Sequence, residues 1–346
     1  RVPGEPRSER LEQALSHALA GIDYELLESA DLPPALHHRR ILFAVALDAS
    51  GINLEYCALL RKIRLDGALF EGCLGGLLVD GRQELYTKMV ARELVFSANR
   101  SGCAFVGRPL VEATGSLANF SILAQTMDTD PLGAYFGCAR DLVTRLLAAQ
   151  PPHADRLRLL VLHASNHKTS NTLTLWDLVK GNLPDCDITE IGLRNGAVHD
   201  CSGCPYTMCL HFGERGGCFY GGVIVDEVYP AILACNALLL LCPNYNDALS
   251  ANLTAFVNRL TALFRQVRFY DKRLFGIVVS GYSGSDLVAE QLVAALNMNK
   301  SFFLPARFCM LETANDAGSI LCADGIEQRA AQFAARLALL GGPESS

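Results

Sequence analysis

The sequence has 346 residues, of which 50% are hydrophobic and 19% are charged, and its formal net charge is −6. This composition indicates a compact protein long enough for two hydrophobic cores, and its negative balance disfavours nucleic acid as a partner. The longest apolar run, residues 231–243, is too short to cross a bilayer. We therefore expect neither a nucleic-acid partner nor a membrane partner.

Thirteen cysteines occur in a chain whose first residues, "RVPGEPRSER", contain no apolar core of the signal-peptide kind. Cysteines in such a chain are typical of a reducing compartment, where they serve metals, redox chemistry or packing rather than a disulfide framework. The sequence therefore favours a cytoplasmic protein.

The first half of the chain alternates apolar runs, typical of buried strands, with stretches of helical spacing. A polar helix is predicted over 9–20, and strands are predicted over 39–48, 74–80, the start of 103–116 and 121–127. Helices are predicted between the strands and over 133–150. Such alternation predicts a mostly parallel sheet covered by helices.

A break at 150–156, which contains two prolines, separates the halves and predicts two domains, 1–152 and 153–346. The second half contains five predicted strands with interleaved helices: 157–162, 188–193, 237–243, 275–284 and 307–313. This count predicts a flavodoxin-like doubly wound parallel sheet, closed by a helix over 325–340.

The first domain is predicted to be a second α/β domain of uncertain role. Its segment "GGLLVD" at 75–80 is similar to "GGVIVD" at 221–226, which leaves open that it is a degenerate copy of the second domain. It contains no comparable phosphate-binding loop.

The segment "HASNHKTSNTL", residues 163–173, connects the first strand of the second domain to a helix. It offers hydroxyls, amides and cations, among them Lys168, but no carboxylate. In a doubly wound sheet this loop leads into a helix amino terminus, where free N–H groups attract anions. The loop therefore suits a dianionic phosphate, such as the terminal phosphate monoester of FMN. The alternative is an ordinary polar turn with Asn171 or Thr172 as the helix cap.

Four segments in the same order resemble the NAD(P)H-dependent FMN reductase and iron-sulfur flavoprotein families over residues 156–340. They are "ASNHKTSNT", "CSGC" at 201–204, "CPNYNDALSANLTAFVNR" at 242–259 and "VVSGYSG" at 278–284. The resemblance implies three sets of flavin contacts: Ser165, Lys168, Ser170, Asn171 and Thr172 at the FMN phosphate, Pro243, Asn244, Tyr245 and Asn246 along the isoalloxazine ring, and Ser280, Gly281 and Gly284 at the polar edge of the ring.

The function that this resemblance implies is an FMN-dependent NAD(P)H oxidoreductase, expected to be a homodimer. Electrons pass from reduced nicotinamide, the co-substrate, through FMN to an unidentified acceptor. No side chain is named as catalytic, because hydride transfer to a flavin needs no protein acid or base. The alternative from another class is a non-catalytic redox- or metal-responsive protein that uses the cysteine-rich loop at 201–218.

That loop, "CSGCPYTMCLHFGERGGC", contains Cys201, Cys204, Cys209 and Cys218. Four thiolates on a short loop can hold an iron-sulfur cluster or zinc. The iron-sulfur flavoproteins carry a compact cysteine motif at this place, although their third cysteine comes two residues after the second, unlike here. We predict the four cysteines to be metal ligands, with free thiols as the alternative.

A rival interpretation of the same loop starts from Cys209 and Arg215, which have the spacing of a phosphatase cradle in which a thiolate attacks phosphate. Such a cradle must directly follow a buried strand, and "CPYTM" is not strand-like. The sequence therefore favours chance spacing.

Overall fold

The structure, a computed structural model, describes residues 1–5, 7–165 and 169–339. It divides into two compact units, Arg1–Ala149 and Gln150–Ser346, and each unit has its own parallel sheet. That the two units are independent domains, separated at residue 152, stays a prediction. No helix in the described ranges has the length and the apolar surface that crossing a membrane requires.

The first unit is built on a three-stranded parallel sheet with the strand order β1-β2-β3. Its strands and α-helices, within the described residues, are α1 (Glu9–Ala18), β1 (Arg40–Leu47), α2 (Leu54–Leu65), β2 (Leu74–Gly81), α3 (Thr87–Arg100), β3 (Ala104–Ala113), α4 (Ser121–Thr126) and α5 (Pro131–Ala148). The central strand, β2, is buried over its whole length, as expected for a strand that is paired on both edges and covered on both faces.

The prediction of a strand over 121–127 is wrong, because these residues form the short helix α4. The apolar run there does not mark a buried segment: Ile122 is 81% exposed, and Ala124 is the residue of α4 that is buried. The sheet of the first unit therefore ends at β3.

Side chains of the first unit close the carboxyl end of β2. The buried carboxylate of Asp80 accepts hydrogen bonds from Arg10 Nε at 2.8 Å and from Ser8 Oγ at 2.9 Å. Arg10 Nη2 also donates to the carbonyl oxygen of Gly81 at 3.0 Å. An anionic ligand at this end of β2 would therefore compete with Asp80 for the Arg10 guanidinium.

The second unit is built on a five-stranded parallel sheet with the strand order β5-β4-β6-β7-β8. Its strands and α-helices, within the described residues, are β4 (Arg158–His163), α6 (Asn171–Gly181), β5 (Asp187–Gly192), α7 (Tyr206–Gly213), α8 (Tyr229–Ala234), β6 (Ala237–Pro243), α9 (Ala251–Phe264), β7 (Arg273–Ser280), α10 (Ser285–Leu292), β8 (Cys309–Thr313) and α11 (Ile326–Ala338). Numbered from the first strand of the unit this order is 2-1-3-4-5, so the flavodoxin-like prediction is confirmed.

One core of the second unit lies between this sheet and the helices α6 and α11. It contains Trp176, the single tryptophan of the chain, which is 1% exposed. The Trp176 indole N–H donates to Glu190 Oε2 at 3.0 Å, as buried indoles usually require a hydrogen-bond acceptor. The fluorescence of Trp176 therefore reports on the packing of this core.

Candidate functional site

The carboxyl ends of β4, β6 and β7 lie side by side at one edge of the second sheet. His163 at the end of β4 is in register with Leu241 of β6, and Pro243 at the end of β6 is in register with Val279 of β7. All three strands are parallel, so the loops that follow them leave from the same edge. This edge of a doubly wound sheet is where ligands bind.

The first of these loops contains a buried hydroxyl. Ser165 is 9% exposed, and its Oγ has no hydrogen-bond partner among the described residues. Ser170 is the N-cap of α6, and its Oγ accepts from the backbone N–H of Leu173 at 3.4 Å. Thr172 is buried in the first turn of α6, whereas the predicted contact Lys168 lies outside the described residues.

Asn171 connects α6 to the loop that follows β8. Its Nδ2 donates to the carbonyl oxygens of Ala314 at 3.2 Å and Asp316 at 2.8 Å, and its Oδ1 accepts from the N–H of Gly318 at 2.9 Å. The side chain therefore has structural partners. A contact from Asn171 to a phosphate would use its backbone N–H.

The second and third loops are connected through Asn244. Its Nδ2 lies 3.0 Å from Ser280 Oγ, 3.0 Å from the carbonyl oxygen of Ser283 and 3.1 Å from Asp247 Oδ1. Its Oδ1 is buried and has no partner among the described residues. Asn244 therefore holds the two loops together and leaves one buried acceptor at the junction.

Two predicted glycines provide space at this junction. Gly284 has φ +85°, and a Cβ atom there would lie 1.9 Å from Asp247 Oδ1 and 2.9 Å from Asn244 Nδ2. A Cβ on Gly281 would lie 3.0 Å from Asn315 Oδ1. Asn246 also has positive φ, at 55°. The loops can approach this closely because Gly284 has neither a side chain nor a preference for negative φ.

Two exposed tyrosines belong to the same loops. Tyr245 is 55% exposed and Tyr282 is 80% exposed; the Tyr282 hydroxyl accepts from Asn315 Nδ2 at 3.2 Å. Pro243 is buried as the last residue of β6, so Tyr245 is the predicted ring contact that presents an exposed aromatic ring. Sequence reasoning missed Tyr282, although it stands in the middle of "SGYSG".

A cavity of about 420 Å³ lies beside Tyr245. It is bordered by Ser165 on one side and by Asn195, Ser250 and Asn252 on others. The last three were missed by sequence reasoning. A serine just before a predicted helix is an N-cap signal, so Ser250 could have been identified as a helix start, but not as part of a cavity.

The cysteine-rich segment contains a helix where a loop was predicted. Cys209 lies inside α7, between Cys204 before the helix and Cys218 after it. In the described residues, which include all four predicted ligands, no group of three or more Cys, His, Asp or Glu is arranged to hold a metal ion. The structure therefore does not bring the four thiols together as a ligand set.

Three of these cysteines affect the pKa of one buried tyrosine, Tyr229. Burial is the main cause that raises the pKa of Tyr229, and the charges of Cys218, Cys209 and Cys201 raise it further. The Tyr229 hydroxyl donates to the carbonyl oxygen of Arg259 at 2.5 Å. Tyr229 therefore lies near these three cysteines without being part of a metal site.

The phosphatase interpretation is contradicted by the backbone at Cys209. Its N–H donates to the carbonyl oxygen of Pro205 at 3.0 Å, within the helical hydrogen bonding of α7. A phosphate cradle needs an open loop after a strand, with its amides free. Cys209 and Arg215 therefore share only their spacing with such a cradle.

Comparison with known families is decisive for the second unit. Residues 157–316 match the family model described as NADPH-dependent FMN reductase. Residues 157–316 are an FMN reductase domain. The predicted resemblance to the FMN reductases is therefore confirmed, and the FMN reductase domain makes the protein an NAD(P)H-dependent flavin oxidoreductase.

Solved structures that are similar to part of this chain have low sequence identity. An NAD(P)H:quinone oxidoreductase from Methanothermobacter marburgensis is 15% identical, with a TM-score of 0.41 over 53% of this chain and 97% of its own. An FMN-dependent NADH-azoreductase from Bacillus anthracis, in complex with FMN, is 12% identical, with a TM-score of 0.37 over 53% of this chain and 99% of its own. No curated protein sequence matches the chain.

Proposed function

We propose that the FMN reductase domain holds FMN across the carboxyl ends of β4, β6 and β7 and passes electrons from NAD(P)H to an organic acceptor. The observation that carries the proposal is the convergence of three loops at this edge. One loop contains the unpartnered hydroxyl of Ser165, and the other two are joined at Asn244 beside the exposed ring of Tyr245. These features fit a phosphate at one end and an aromatic ring at the other.

One end of the site fits a phosphate because hydrogen-bond donors that lack protein acceptors lie there. Ser165 Oγ has no protein acceptor in the described residues, and the start of α6 adds backbone N–H groups that attract anions. No carboxylate occurs between 163 and 173. The remaining predicted phosphate contacts, Ser170 and Thr172, would serve through their backbone N–H groups or as the helix cap that keeps α6 in place.

The other end of the site fits the flavin ring because the two loops there are held at a fixed, short separation. Asn244 ties its own loop to Ser280, and Gly284 gives the close approach that a side chain would prevent. The exposed ring of Tyr245 can cover a flat ligand. Bound FMN supplies the capacity to accept hydride from nicotinamide and to release electrons in pairs or singly.

The variant Ser165→Asp tests this assignment, because it sets a negative charge against the phosphate. We expect the purified variant to lose its flavin absorbance, and Ser121→Asp, an exposed serine at the start of α4, to keep it. Trp176 fluorescence shows whether the second unit of each variant is folded. Undiminished flavin in folded Ser165→Asp would contradict the assignment.

The oligomeric state and the cellular location of the protein are also proposed. A homodimer is expected from the resemblance, and the thirteen cysteines, none in a disulfide, suit the reducing cytoplasm. Light scattering on the eluting protein measures the first, and the location of a tagged full-length protein measures the second.

An iron-sulfur cluster in the cysteine-rich segment stays a prediction. Because the four cysteines as placed do not form a ligand set, we derive no electron-transfer step through one. Anaerobic purification followed by iron, sulfide and zinc analysis tests the point. Near-stoichiometric metal that is lost on Cys204→Ser would reinstate the predicted ligands.

A further inference from the structure

Tyr282 is exposed over most of its surface, yet the protein holds its hydroxyl group. The side chain is 80% exposed, which leaves both faces of its ring open to solvent. The hydroxyl accepts a hydrogen bond from Asn315 Nδ2 at 3.2 Å. The ring is therefore anchored at its far end while its faces stay uncovered.

The loop that carries Tyr282 is fixed on both sides of this residue. Asn244 Nδ2 lies 3.0 Å from Ser280 Oγ and 3.0 Å from the carbonyl oxygen of Ser283. Ser280 Oγ also lies 2.8 Å from the hydroxyl of Ser285, the first residue of α10. The backbone at Tyr282 is therefore held in place by its neighbours.

The anchor Asn315 is fixed as well. Its two neighbours in the chain, Ala314 and Asp316, both accept hydrogen bonds through their carbonyl oxygens from Asn171 Nδ2, at 3.2 and 2.8 Å. The N–H of Ala314 donates to the carbonyl oxygen of Ser280 at 2.9 Å. The amide of Asn315 therefore meets the tyrosine hydroxyl from a loop that is tied both to the start of α6 and to the end of β7.

This ring is ordered without the gain that burial would give. Restricting a side chain to one position costs conformational entropy, and an exposed ring recovers little of that cost by removing apolar surface from water. A ring that is held in position before a ligand arrives lowers the entropy cost of binding that ligand. Tyr282 also stands between Gly281 and Gly284, the proposed contacts at the polar edge of the flavin ring, so its ring borders the proposed flavin site.

We propose that Tyr282 sets the preference of the enzyme for flat aromatic electron acceptors, by stacking its ring against the acceptor. This inference rests on the proposed function, because it requires FMN at the neighbouring loops, and it gives Tyr282 a role that is distinct from the flavin contacts. Stacking selects an acceptor by its flat aromatic shape. A compact inorganic acceptor such as ferricyanide cannot make this contact.

Two acceptors, naphthoquinone and ferricyanide, test this inference at saturating NAD(P)H. Tyr282→Leu removes the ring but keeps an apolar side chain, so the ratio of kcat/KM for naphthoquinone to kcat/KM for ferricyanide should fall about fivefold. The loss should appear in the KM for naphthoquinone rather than in kcat. Tyr282→Phe keeps the ring and should retain most of the ratio. The control Tyr270→Leu changes a tyrosine that is 40% exposed and precedes β7, at the opposite edge of the sheet, and should leave the ratio unchanged.

A binding measurement without turnover complements the kinetics. Naphthol, which is flat and aromatic but is not reduced by NAD(P)H, is dialysed against flavin-loaded protein. Its dissociation constant should rise about fivefold in Tyr282→Leu and stay unchanged in Tyr270→Leu.

The flavin absorbance of the purified proteins separates two kinds of failure. Wild-type protein that cannot hold FMN would overturn the proposed function, and this inference with it. An unchanged ratio or unchanged naphthol binding in flavin-loaded Tyr282→Leu overturns the inference alone. The inference also fails if Tyr282→Leu loses its flavin, which would make Tyr282 a flavin contact, or if Tyr282→Phe lowers the ratio as far as Tyr282→Leu does.

Discussion

Replacing Gly284 by alanine should separate the two ring loops and weaken FMN binding. Alanine at φ +85° is strained by roughly 1–2 kcal/mol. Its Cβ would lie 1.9 Å from Asp247 Oδ1, so that carboxylate must move and lose its 3.1 Å hydrogen bond from Asn244, at a cost of about 0.5–1.5 kcal/mol. The free energy of unfolding should therefore fall by about 2–3 kcal/mol.

Gly196→Ala is the matched control for this change. Gly196 has φ +86°, and a Cβ there would meet nothing within 4 Å. The control should lose only the strain, roughly 1–2 kcal/mol. The difference of about 1 kcal/mol between the variants measures the junction at Asn244. If that junction also holds the flavin, the FMN dissociation constant of Gly284→Ala should rise about fivefold.

Two measurements decide this prediction. Trp176 is the only tryptophan and lies in the core of the FMN reductase domain, so urea unfolding followed by its fluorescence reports the stability of that domain. Equilibrium dialysis gives the FMN dissociation constant. Equal destabilisation by Gly284→Ala and Gly196→Ala, or wild-type FMN affinity in Gly284→Ala, would refute the reasoning.

Three further predictions concern stability and domain structure. Asp80→Ala leaves Arg10 without its buried carboxylate partner, so hydrogen exchange should show the free energy of unfolding of the first unit lowered by roughly 3 kcal/mol. The control Asp141→Ala removes the exposed ion-pair partner of Arg145 and should cost less than about 1 kcal/mol. Burial raises the pKa of the Cys235 thiol from 9.0 to about 11. As the pH rises, the unfolded chain loses this proton before the folded chain does, so the free energy of unfolding is retained below pH 9 and declines toward pH 11. Cys235→Ala should show a shallower decline in urea titrations over that range. The fragment 153–346, expressed alone, should fold and retain FMN; an unfolded fragment would refute the predicted boundary.

The strands and the loops of the second unit could be predicted because their signals are local. The run 237–243 is continuous and apolar, as a strand buried on both faces must be, and β6 is buried throughout. Since parallel strands end at a common edge, each polar segment after such a run could be assigned to one site without knowledge of distant contacts.

Other features depend on contacts that are remote in the chain or on solvent exposure. Asn171 finds its partners at Ala314 and Gly318, more than a hundred residues away, so its structural role could not be read from its loop. Ile122 is apolar but exposed, which is why periodicity wrongly predicted a strand. Helix α7 packs against α9, and this tertiary support was invisible in the cysteine spacing.

Because Asp80 pairs with Arg10 at the end of the first sheet, the stability of the first half of the chain does not depend on cofactor supply, whereas that of the second half does. In the first unit the anion that Arg10 requires is part of the polypeptide, so its stability is fixed once the chain is made. In the proposed function, Ser165 acquires its acceptor only from FMN, and mass action then adds about 2.7 kcal/mol when FMN reaches a hundredfold excess over its dissociation constant. Loss of FMN would therefore lower the free energy of unfolding of the second half and leave that of the first half unchanged.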